Sequence, residues 1–90
     1  MITRLLNLWR GQAEVTNRFG RIAVSWAPVR QGPGQQYKVA LDGTAKLPRG
    51  ASVEIDAVVT GTPPKGSSDP RWAHLASGLG FLHASVLEAL

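Results

Sequence analysis

Two imidazoles, one pair of carboxylates and one lysine-bearing loop are the groups in this 90-residue chain whose types suit chemistry. Covalent catalysis needs a nucleophile, a base and a group that orients the base, all within hydrogen-bond reach. His74 and His83 are the only histidines. Both fall in a stretch that reads as helix, where nine residues at roughly 100° each turn them to opposite sides, so they cannot hold one metal ion together. His83 borders the apolar stripe of that helix and is expected packed and hydrogen-bonded, while His74 is expected in solvent. Glu54 and Asp56 share one face of an alternating strand, an arrangement that suits acid–base pairs. Lys38 is expected near that face, which favours a salt bridge over catalysis.

The run 61–68, Gly-Thr-Pro-Pro-Lys-Gly-Ser-Ser, lies between a strand and a helix as phosphate-binding loops do. Those loops need Gly-Lys-Ser/Thr in that order, and here Lys65 precedes Gly66. Pro70 removes a helix-terminal N–H, and Asp69 places negative charge where an anion would sit. The sequence therefore assigns no catalytic, cofactor-binding or metal-binding residue. The expectation is a protein that is not an enzyme.

The stretch 67–90 carries the strongest periodicity. Asp69 and Pro70 suit a helix start, since one can cap free N–H groups and the other fits the first helical position. Trp72, Leu75, Ala76, Leu79, Leu82, Val86 and Leu90 then recur at three- and four-residue steps, the spacing of an amphipathic helix. Segments 12–18, 21–27, 36–41 and 51–60 alternate apolar and polar residues and read as four strands. Asn17-Arg18-Phe19-Gly20 and Asp42-Gly43 read as turns between them. Val53, Ile55, Ala57 and Val59 are expected inward on the fourth strand, and Trp26 and Tyr37 inward on the second and third. Residues 1–10 read as a short helix, with an edge strand as the alternative. The expected fold is α+β in two layers: a four-stranded antiparallel meander packed on the C-terminal helix, in one domain over 1–90.

The chain is 43% apolar with three tryptophans and no cysteine, which fits a folded domain without disulfides or thiolate metal sites. No apolar run approaches the roughly 18 residues of a membrane span, so a cytoplasmic location without membrane contact is expected. Seven arginines and three lysines give a net charge of +4, which favours acidic partners. The meander would gather Arg18, Arg21, Lys46 and Arg49 at one end of the sheet. Loops 28–35 and 61–69 would share the other end, with Arg30, Lys65 and Arg71 nearby. Phe81 falls off the buried stripe, on a helix face with His74 and Ser77, beside Gly78 and Gly80. Small residues around an exposed aromatic suit an interface.

The tail Ala84-Ser85-Val86-Leu87-Glu88-Ala89-Leu90 resembles the Ala/Leu-rich last helix of double-stranded-RNA-binding domains. The resemblance implies a lysine cluster at the start of that helix, and among 69–74 only Arg71 is cationic. The favoured expectation is a small binding module that occupies a surface of a protein or nucleoprotein partner. Phe81, His74, Ser77, Arg18, Arg21, Lys46 and Arg49 are its candidate contacts, and a homodimer is compatible with it. As a class, such domains are common among regulators and inhibitors carried by phages and mobile elements, anti-CRISPR proteins included. The alternative is a basic nucleic-acid-binding accessory protein.

Overall fold

A computed structural model describes the backbone of residues 14–89 and the side chains of residues 18–88; the N-terminal segment 1–10, read above as helix or edge strand, lies outside the described residues. The chain is built from strands: β1 (Glu14–Ile22), β2 (Trp26–Pro28), β3 (Lys46–Pro48), β4 (Ser52–Thr60), β5 (Arg71–Leu75), β6 (Phe81–His83) and β7 (Leu87–Ala89). They form a five-stranded antiparallel sheet in the order β6-β5-β4-β1-β7 and a two-stranded sheet β2-β3. The expected α+β meander on a C-terminal helix is therefore corrected to a mostly β fold.

The reason lies in the glycines of 71–89. Gly78 and Gly80 take φ of 86° and 151°, values that suit glycine, and a helix interior would lose about 1 kcal/mol at each. They turn the chain instead. Gly78 N–H donates to Leu75 and Leu75 N–H to Gly80, closing a hairpin between β5 and β6. Asp69 does not cap a helix; its carboxylate accepts from the Arg71 N–H at 3.0 Å. What remains helical in this stretch is one 3-10 turn, Ala84–Val86.

Upstream, β1 runs straight through the expected turn at residues 17–20. A bulge between Val15 and Arg18 absorbs one extra residue against β4. The expected third strand, 36–41, is loop. Its end folds into a tight turn, Ala40–Gly43, with Leu41 and Asp42 both left-handed at φ 55° and 54°. Trp26 and Tyr37, expected inward, are 60% and 42% exposed. β4 matches its expected alternation: Ile55, Ala57 and Val59 are buried and Val53 is partly so.

Residues 23–51 form an arm that packs over the sheet and caps its β6 edge. Arg30 exchanges backbone hydrogen bonds with Phe81, covering the open edge of β6, and Ala23 N–H donates to Val86 beside β7. An unpaired edge invites pairing with another chain; the Arg30 bonds cap that of β6 at Phe81, whereas the Ala23 bond extends the β1–β7 ladder by one rung. Ala27, Val29, Ala40 and Ala45 of the arm share one core with Ile22, Ile55, Ala73, Leu75 and Leu82. Val59, Trp72 and Phe81 form a second, smaller cluster. Among the described residues no helix is long and apolar enough to cross a membrane.

Candidate binding groove

The residues that could do chemistry are mostly committed to one another. Asp56 is the extra residue of a bulge between β4 and β5, where Ile55 pairs with Leu75 and Ala57 with His74. Its carboxylate meets Nδ1 of His74 at 2.7 Å, so Asp56 bonds a histidine rather than Lys38. His74, expected in solvent, is half-buried and sets its ring edge-on to Phe81 at 4.9 Å. His83 is buried, as expected. Its Nε2 faces the Asp69 carbonyl at 2.8 Å, and because a carbonyl only accepts, Nε2 carries the proton. Nδ1 then accepts from the Ser85 hydroxyl at 2.8 Å and the Ser85 N–H at 3.2 Å.

The candidate contacts do not form one surface. Phe81, expected on an open helix face, is 2% exposed and belongs to the core. Ser77 is exposed in the β5–β6 turn and lines a cavity of about 340 Å³ whose apolar lining includes Leu47, Val53, Leu75 and Leu79. Arg18, Arg21, Lys46 and Arg49 are all exposed, but the turn and meander that were to gather them are absent. Arg18 sits within β1 opposite Ile55 and lines a cavity of about 160 Å³ with Phe19 and Leu87. Arg21 approaches Glu88 at 4.0 Å, Lys46 pairs with Pro28, and Arg49 donates to the Ala23 carbonyl at 2.6 Å.

A groove of about 170 Å³ opens where the arm, the loop after β4 and the 3-10 turn converge. Strand alternation explains its first wall: Val29 points into the core at 0% exposure, so Pro28 and Arg30 on either side point out. Pro64 stands on the second wall. Ser85 and Val86 supply the remaining surface over the buried Trp72 and His83 rings, which meet edge-on at 5.0 Å. Beside the groove the two loops are tied directly to each other. Thr62 N–H donates to Pro33 at 3.0 Å, the Gln36 amide to the Thr62 hydroxyl at 3.0 Å, and Lys65 N–H to the Gln35 side chain at 3.0 Å. The Trp72 indole N–H holds the Thr62 carbonyl at 3.0 Å. Gly61 is required there, since a Cβ would strike the Pro33 carbonyl.

Beside the groove, the Arg71 guanidinium chelates Asp69 at 2.8 and 3.0 Å. That pairing, with the Arg71 backbone N–H, holds the Asp69 carboxyl well below the usual carboxylate range and raises Arg71 in turn. Among the described residues no three of His, Cys, Asp and Glu gather as metal ligands would. The sequence reading placed loops 28–35 and 61–69 together but not the groove they form. Arg30, Gln35, Pro64 and Ser85 carried no local motif; the one usable signal was the Pro28-Val29-Arg30 alternation. Compared with known proteins, the chain matches no family model, no curated protein and no solved structure.

Proposed function

We propose that the protein is a non-enzymatic binding module that holds an extended segment of a partner protein in the groove where the arm and loop 61–66 meet the 3-10 turn. The observation that carries this reading is the set of three hydrogen bonds that ties the two loops together beside the groove and so fixes its shape. A cleft held open in advance spares the ordering cost that binding otherwise incurs. At about 170 Å³ the groove is smaller than the roughly 300–1,000 Å³ that encloses a small-molecule ligand. It suits side chains of a passing peptide better than a cofactor. Pro28, Pro64 and Val86 offer apolar contact above the buried Trp72 ring, while Arg30 and Ser85 offer the polar contacts that fix orientation. Both ring nitrogens of His83 are engaged in bonds that shape the groove, which favours a structural role over general-base chemistry.

A regulator or inhibitor carried by a phage or mobile element would use this surface in the same way, by occupying one segment of its target. The test is selection of peptides from a random displayed library, followed by titration of the selected peptides into isotope-labelled protein. Shifts confined to Arg30, Gln35, Thr62, the Trp72 indole and Ser85 are expected, with binding abolished by Ser85→Trp in a folded protein. Peptides that map elsewhere overturn the reading. Oligonucleotides that bind tightly at low salt and release at physiological salt would favour the nucleic-acid alternative, because phosphate contacts weaken steeply with added counterions.

A further inference from the structure

Resting on the groove reading above, we propose that the bound segment is an acidic peptide, with an Asp or Glu side chain held by the guanidinium of Arg30. Arg30 is half-buried on the groove wall, and its Nη1 donates to two carbonyls of its own loop, Gln35 at 3.2 Å and Tyr37 at 3.0 Å. Those bonds fix the plane of the guanidinium, while Nε and Nη2 lie outside them. A fixed fork of this kind matches a carboxylate with two parallel hydrogen bonds, which a lysine does not.

Among the described residues no carboxylate takes that position. Asp69 is chelated by Arg71, Glu88 faces Arg21 and Asp56 faces His74, and no ion pair to Arg30 occurs among the described residues. Lys65 adds positive charge at the rim, where its backbone N–H is bound to Gln35. The whole chain carries +4, so long-range steering favours an acidic segment as well. The Ser85 hydroxyl points its proton at His83 and keeps lone pairs for a backbone N–H of the guest. Anion and amide partners are thereby offered on one short groove, which is what a peptide with an acidic side chain presents.

The experiment selects displayed peptides on the wild-type domain and on Arg30→Gln, then measures affinities for the best peptide, its Glu→Gln analogue and its C-terminally amidated form. The expected result is enrichment of Asp or Glu at one position on wild type and its loss on Arg30→Gln. The acidic peptide should bind Arg30→Gln about tenfold more weakly or worse, with its Gln analogue unaffected by the substitution. Arg30→Lys guards against a folding defect, since it keeps the charge and loses the fork; it should recover only part of the affinity. Groove-mapped peptides without acidic enrichment, or equal weakening of the acidic and Gln peptides by Arg30→Gln, overturn the acid preference while leaving the groove reading intact. Dependence on a free C-terminus instead of an internal carboxylate overturns it too. Peptides that map outside the groove, or no selected peptide at all, overturn both.

Discussion

Phe81 separates packing from recognition at the scale of single residues. Its ring is closed into a cluster with Val59 and Trp72, and its backbone N–H and carbonyl are both taken by Arg30. Phe81→Ala should therefore lower stability by about 3–5 kcal/mol, the usual cost of emptying a buried aromatic site. Ser77→Ala, on the exposed turn, should stay within about 0.5 kcal/mol. Urea denaturation of the two variants checks both, and a well-folded, stable Phe81→Ala would contradict its place in the core. Strain gives the opposite sign at Leu41 and Asp42. Both hold left-handed dihedrals that cost L-residues roughly 1 kcal/mol or more each, and Leu41 is 64% exposed, so little packing compensates. Asn-Gly is the pair that two successive left-handed positions favour. Leu41→Asn with Asp42→Gly should raise stability by about 1 kcal/mol or more, seen as a higher melting temperature.

The strand β5 and the loop before it show how an element is pinned by charge. Asp69 accepts from Arg71 through both side chain and backbone, and its carboxyl sits below the ordinary range as a result. A depressed folded value means that the stabilisation is present above the unfolded value of about 3.9 and is lost as pH falls through it toward the folded one. Wild-type melting temperature should thus drop on acidification below about pH 4, and Asp69→Asn should flatten that part of the curve. An unchanged acid limb in the variant would assign the drop to other carboxylates. The same stretch shows what sequence could and could not say. β4 was legible because Val53 to Val59 alternate without a glycine or proline to break them. In 71–89 the apolar residues satisfy a helical period and a strand hairpin equally, and local pattern does not arbitrate. Gly78 and Gly80 were visible as costly in a helix, yet only the turn they make explains them. Loops 28–35 and 61–69 were expected side by side, and the groove opens where they meet the 3-10 turn. Its shape stayed hidden because its braces run through backbone carbonyls and side-chain amides of residues far apart in sequence.

At the scale of the whole molecule, stability and recognition depend on one seam. The five-stranded sheet would end in an open edge at β6 were it not for the two backbone bonds between Arg30 and Phe81. The same residue, Arg30, lends its side chain to the groove. Gly80 sits at this seam with φ 151°, and a Cβ there would collide with the Arg30 carbonyl backbone. Gly66 also has positive φ, at 84°, but a Cβ there meets open space. The pair separates dihedral strain from loss of the seam. Gly66→Ala should cost about 1 kcal/mol, the price of the dihedral alone. Gly80→Ala should cost more than about 2 kcal/mol, because it adds a collision with backbone that cannot swing aside. It should also accelerate amide exchange at Arg30 and Phe81 relative to Ile55 and Val59 in the middle of the sheet, since local opening then competes with global unfolding. If the groove depends on the seam, Gly80→Ala should weaken peptide binding at temperatures where the sheet remains folded, while Gly66→Ala should not. Equal exchange rates at seam and sheet centre in Gly80→Ala would mean that the arm and the sheet unfold only together, and that the groove survives as long as the fold does.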